Sequence, residues 1–195
     1  MTISRIPLLS AEETKTAAAE GGVPEYMTDL NIFRLLLHHP PLARRFNALL
    51  GHLLFECALD HRLRELVIMR IGWVTGSDYE WTQHWRVGAG MFKVPEADLF
   101  ATRDWRAYDD FSLADQAVLA ATDEVLEHGT VTDETWAACE EHVTGGEEAL
   151  LELFMAIGAW RMVSGFLRSL QVPLEDGVES WPPDGVAPDP EEVHG

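Results

Sequence analysis

Apolar residues recur along this chain at helical rather than strand spacing. Leu42, Phe46, Leu49, Leu50, Leu53 and Leu54 stand three or four apart or side by side, which predicts a helix over 42–59. Before it, an apolar segment over 31–38 ends at Pro40-Pro41, and a short helix around 11–20 is stopped by Gly21-Gly22. Asp60 predicts a cap for a helix over 61–75, with Gly76 as its left-handed stop. Ser77 predicts the cap of the next helix, to about residue 90. A short helical turn follows over 95–101, then helices from Ser112 to Gly129 and from Thr132 to Val143. The last long helix runs over 147–170 and stops before Pro173. No strand alternation persists over several residues, so the chain reads as all-α, a packed bundle of six to eight helices.

This pattern divides the chain into an N-terminal arm over 1–29, a helical domain over 30–176 and an acidic, Pro-rich tail over 177–195 that wraps a surface or frays. From Leu66 to Val74 the helix is apolar on every face except at Arg70, and the last helix has the same character. A helix apolar all round is buried all round, and one small domain rarely surrounds two of them. That points to a homo-oligomer.

The chain has 195 residues, 47% of them apolar, which suits one domain with a substantial core. Its formal net charge of -19 repels nucleic acid and anionic membrane surfaces, while a local site can still invert the sign for an anionic substrate. No uninterrupted apolar run approaches the ~20 residues of a membrane span, and the N-terminus lacks the features of a secretory signal. These features predict a cytoplasmic protein with a small-molecule substrate and neither nucleic-acid nor membrane partners. Cys57 and Cys139 are far apart and form no Cys-x-x-Cys. Cys57 follows Leu53, Leu54 and Phe55 and reads as a buried structural thiol.

The stretch from Arg64 to His84 carries the candidate chemistry. Glu80 and His84, four apart, share one helix face. Glu65 lies in an apolar helix, where a carboxylate is costly unless paired. If the two helices run antiparallel from Gly76, Glu65 approaches His84. Two carboxylates and an imidazole in a sheltered pocket have separated pKa values, as acid–base work near neutral pH requires. The same residues admit plainer roles. Ser77 and Glu80 have capping-box spacing, Glu80 and His84 that of a surface ion pair, and Glu65 can pair with Arg64, Arg70 or a neighbouring subunit. A metal site of Glu65, Glu80 and His84 lacks a second histidine at ligand spacing, so none is expected.

Arg64-Glu65-Leu66 followed by Tyr79-Glu80-Trp81-x-x-His84 resembles the carboxymuconolactone decarboxylase family and its alkyl hydroperoxidase D-like branch. The resemblance extends over roughly 30–176, from His38-His39-Pro40 to Val172-Pro173-Leu174. In the redox branch a Glu is followed by Cys-x-x-Cys and a His. Counted from Glu65, the cysteine positions fall on Ser77 and Glu80, and the histidine on His84. Ser and Glu supply neither a thiolate nor a resolving thiol, so the resemblance is to the non-redox branch. It implies an alkyl hydroperoxidase D-like helical bundle, a trimer or hexamer with a pocket near the subunit interface, and a reaction needing no cofactor.

The activity so implied is a carbon–carbon lyase of decarboxylase type, or an isomerisation or elimination, on a small organic acid or lactone. His84 is expected as principal acid or base, Glu80 as its partner and Glu65 as the group that orients the imidazole. Ser77, Tyr79, Trp81 and Arg70 are the candidate substrate contacts. The alternative is a non-catalytic ligand-binding or assembly protein on the same scaffold.

Overall fold

The computed structural model describes residues 4–191 and 193, and among these it contains nine α-helices and no strand. Met1–Glu56 with Phe166–Val178 form one compact unit, and Cys57–Gly165 with Glu179–Gly195 form another. The first unit holds α1 (Ala11–Gly21), α2 (Asn31–Leu36) and α3 (Pro40–Phe55). Ser10 opens α1 through a capping box with Glu13. Asn31 donates from its side-chain amide to the carbonyls of Pro173 and Leu174, both at 3.1 Å, and Glu175 accepts from its backbone N–H at 2.8 Å.

The second unit holds α4 (His61–Val74), α5 (Asp78–Arg86), α6 (Glu96–Ala101), α7 (Leu113–His128), α8 (Asp133–His142) and, as far as Gly165, α9 (Gly146–Leu170). Two of the caps read from the sequence, Asp60 and Ser112, start α4 and α7 with side-chain bonds. Asp60 accepts from the backbone N–H groups of Arg62 and Leu63 at 2.9 and 3.2 Å, and Ser112 forms a capping box with Asp115. Gly76 has φ of 63°, the left-handed conformation that ends α4 and turns the chain into α5.

Two boundaries differ from the sequence pattern. The helix predicted to reach residue 59 ends at Phe55, and Leu59 instead donates its N–H to the Glu152 carboxylate at 2.9 Å. The helix predicted to reach residue 90 ends at Arg86, and Val87–Met91 forms a π-turn in which Phe92 N–H bonds the Val87 carbonyl at 3.1 Å. Gly88 and Gly90 weaken the α-helical ladder in that segment.

α4 is buried along most of its length, with Leu66, Val67, Ile68, Met69 and Ile71 wholly enclosed. α9 is long and apolar enough to cross a membrane by length and composition, but Leu153, Ala156, Ile157, Trp160 and Val163 are buried within the protein, as in a core helix. Leu151, Met155 and Met162 remain exposed on the same helix.

The tail is anchored in the second unit. Trp181 is buried against Trp73 and Trp81, with ring centroids 5.8 and 6.2 Å apart. The Trp81 indole donates to the Pro182 carbonyl at 2.7 Å. Asp78 accepts from Ser180 Oγ and from Trp181 N–H.

Candidate active site

α4 and α5 leave the Gly76 turn antiparallel, and their register sets the site. A Cβ placed on Gly72 of α4 would lie 3.0 Å from the backbone nitrogen of Trp81 on α5. The backbones therefore touch at this level. Two turns further from the Gly76 corner, the same register places Glu65 opposite His84, with Glu65 Oε2 2.9 Å from His84 Nδ1.

Glu65 is wholly buried, and so is its neighbour Arg64. Arg64 Nε and Nη2 donate to Glu65 Oε1 at 3.2 and 2.9 Å. Its Nη1 lies 2.8 Å from His61 Nδ1 and 3.6 Å from Cys57 Sγ, and its guanidinium stacks 4.4 Å above the Phe92 ring. A buried carboxylate must be paired to persist, and of the partners open in the sequence it is Arg64, not Arg70, that fills this role. Arg70 turns to α7 instead, where Nε and Nη2 hold Asp123 at 2.6 and 3.3 Å.

His84 is held on both ring nitrogens. Nδ1 faces Glu65, and Nε2 accepts from Trp160 Nε1–H on α9 at 3.1 Å. An indole N–H only donates, so this arrangement fits the neutral imidazole with its proton on Nδ1, donated to Glu65. Burial alone would lower the imidazole's pKa, but the charge of Glu65, its hydrogen bond and the charge of Glu80 outweigh burial and raise it.

Glu80 lies on the same face, with Oε1 4.0 Å from His84 Nε2. The capping box does not form: no side-chain cap bond closes at Ser77. Ser77 Oγ and Glu80 Oε2 are instead both buried without a hydrogen-bond partner. Burial, reinforced by the negative charge of Glu65 and opposed by His84, pushes the Glu80 carboxyl up to about 7.

Tyr79 is buried on the same helix, and Trp81 is buried in the tryptophan cluster with its N–H committed to the tail. Among the described residues, no group of three His, Cys, Asp or Glu side chains is placed to hold a metal ion. Cys139 is buried in the protein, and burial raises its thiol to about 11. Cys57 is half-buried just past α3, rather than enclosed as its apolar neighbours suggested. Arg64 and Trp160 are the parts of the site least visible in the sequence. The sequence offers Arg64 only as one possible partner of Glu65, and nothing in the spacing marks Trp160, 76 residues beyond His84.

The helical architecture defines the class, an all-α protein of the alkyl hydroperoxidase D-like fold. Residues 40–124 match the model of the Carboxymuconolactone decarboxylase family, so the segment carrying Glu65, Glu80 and His84 is similar in sequence to that family.

Solved structures agree on the fold. A peroxidase-related protein with an alkylhydroperoxidase AhpD core, from Ralstonia eutropha JMP134, superposes with a TM-score of 0.73 at 16% identity, covering 96% of this chain and 99% of that one. A peroxidase-related protein from Silicibacter sp. TM1040 gives 0.72 at 10% identity, covering 91% of this chain and 93% of that one. The debrominase Bmp8, in complex with 2,3,4-tribromopyrrole, gives 0.70 at 16% identity, covering 89% of this chain and 94% of that one. Among curated proteins, none matches the sequence. The family and the last of these neighbours bear the names of enzymes.

Proposed function

We propose that this protein is a cofactor-independent acid–base enzyme acting on a small organic acid or lactone by decarboxylation, isomerisation or elimination. The observation that carries this reading is Glu80, a buried carboxyl titrating near 7 whose Oε2 has no partner, beside an imidazole held on both sides. A general acid–base group works best when its pKa lies near the working pH. His84 already gives Nδ1 to Glu65 and Nε2 to Trp160, so Glu80 carries the mobile proton and His84 tunes it. This reverses the division of labour expected from spacing.

In a decarboxylation, the bond from carbon to the leaving carboxylate breaks and its electron pair passes into the substrate's conjugated carbonyl. Protonated Glu80 then delivers its proton to the same carbon, and water restores it. Ser77 Oγ–H, buried and unpartnered, donates to the substrate's carbonyl oxygen, and Tyr79 forms part of the wall. Arg64 and Glu65 hold the imidazole in one tautomer. The reading includes a homo-oligomer, trimer or hexamer, with the exposed stripe of α9 at a subunit interface.

The test is turnover of a panel of carboxylated lactones and β-keto acids, together with solvent-deuterium incorporation at carbon. Glu80→Gln is expected to lower turnover by on the order of 100-fold or more, the usual contribution of a positioned acid–base group, and His84→Gln to lower it less while moving the pH profile. A Glu80→Gln protein that folds and keeps full turnover would overturn the assignment. Saturable binding of panel members with neither turnover nor deuterium exchange would favour the non-catalytic alternative.

A further inference from the structure

On the other side of α4 lies a recess that the acid–base reading does not use. It has a volume of about 340 Å3, within the ~300–1,000 Å3 typical of small-molecule sites. Arg70 and Trp73 of α4, Asp123 and Leu126 of α7, and Arg103 and Arg106 from the 3-10 turn between α6 and α7 line it. Pro188 of the tail also lines it. None of Glu65, Glu80 and His84 contributes to the lining.

The charge of this wall stands out against the rest of the chain. Only 14 lysines and arginines balance 33 acidic residues in the whole sequence, yet three of those arginines border this one recess. Asp123 is shared between two of them. It accepts from Arg70, from Arg106 Nη1 at 2.9 Å and from Trp105 Nε1–H at 2.9 Å. One carboxylate thus serves two guanidinium groups, and Arg106, largely exposed, keeps donors facing solvent.

Arg103 packs over Trp73, Trp81 and Phe100 at 4.4, 4.8 and 4.5 Å from their ring centroids. It forks onto the tail carboxylate of Asp184 at 2.9 and 3.0 Å. Its Nε–H is buried and has no partner. Arg103 lines the recess while its buried Nε–H still needs an acceptor, and Asp184 demonstrates that a carboxylate fits this guanidinium.

We propose that this recess binds a small organic carboxylate at a site separate from Glu80. The carboxylate sits beside Arg106, within reach of Arg103 Nε–H after a small shift of that guanidinium. The apolar body lies along Trp73, Val74 and Leu126. Glu127, at the exposed rim, opposes the negative charge and limits affinity. The proposal stands on the recess and its arginines alone and does not depend on the acid–base reading.

The test is a titration of the full chain with benzoate, and separately with inorganic phosphate, followed by NMR at the Trp105 indole N–H, which touches Asp123. Benzoate is expected to shift that resonance saturably. Arg106→Gln, a change at an exposed side chain, is expected to weaken binding about tenfold or more, in keeping with loss of a charge-assisted hydrogen bond. Glu127→Gln is expected to tighten it, and Glu80→Gln to leave it unchanged. No saturable shift with benzoate, or equal affinity in Arg106→Gln, overturns the site. Phosphate binding as tightly as benzoate overturns the ligand class.

Discussion

At neutral pH the Glu80 carboxyl divides between its two protonation states, because burial and the nearby Glu65 charge raise it to about 7. Its folded value therefore lies above its ordinary 4.5. The folded protein binds the extra proton between these two values, so the stabilisation is complete below pH 4.5 and is lost as pH rises through about 7. His84 acts in the same direction, since its folded value also lies above the ordinary one. Its contribution is complete below pH 6.5 and fades as pH rises through the folded value. Denaturant titrations from pH 4.5 to 8 are expected to show stability falling, and Glu80→Gln to flatten that slope; an unchanged slope refutes the burial argument. Trp160 acts on the same balance. Its N–H favours the neutral imidazole by bonding Nε2, so Trp160→Phe is expected to raise the His84 pKa further, read from the imidazole resonances by NMR.

Helix geometry carries these side chains to one another. The close approach of α4 and α5 depends on Gly72, where a methyl group would meet the backbone of Trp81 at 3.0 and 3.3 Å. Backbone cannot swing aside as a side-chain end can, so Gly72→Ala must separate the two helices. The expected cost is about 1–3 kcal/mol, seen as a lower Tm, and any separation lengthens the contact between Glu65 and His84. The π-turn that ends α5 also matters here, because the chain leaving it places Phe92 under the Arg64 guanidinium. That stacking holds the arginine on Glu65. The capping-box spacing of Ser77 and Glu80 is misleading for a physical reason. The carboxylate turns into the interior towards His84 rather than back to the helix start, which leaves Ser77 Oγ and Glu80 Oε2 without a hydrogen-bond partner.

For the molecule as a whole, the exposed side of α9 bears on assembly. Leu151, Met155 and Met162 lie four and seven residues apart with Gly158 and Gly165 between and beyond them, a spacing that suits helix-to-helix packing. If this stripe is a subunit interface, sedimentation equilibrium will give a multiple of 21.8 kDa, and Met155→Glu will lower that mass; a 21.8 kDa monomer in the unaltered protein removes the oligomer from the proposed function. The acidic tail, expected to wrap a surface or fray, seats Trp181 in an aromatic cluster and holds Asp78 at the start of α5. Periodicity gave no sign of this, because a lone tryptophan among prolines and acids has no repeating pattern.

Much of the scaffold and part of the site are legible in the residues themselves. Asp60, Ser112 and Gly76 act as caps and stop because capping is a local exchange between a side chain and backbone a few residues away. Glu65 and His84 could be matched because both are counted from the same Gly76 turn. Arg64 as the carboxylate's partner, Trp160 on the far imidazole nitrogen, the inward turn of Glu80 and the gathering of three arginines beside Trp73 were settled only by tertiary packing. Proton affinity and charge pairing depend on desolvation and on through-space distances of about 3–4 Å, and neither can be read along a chain whose contacting residues stand as far apart as His84 and Trp160.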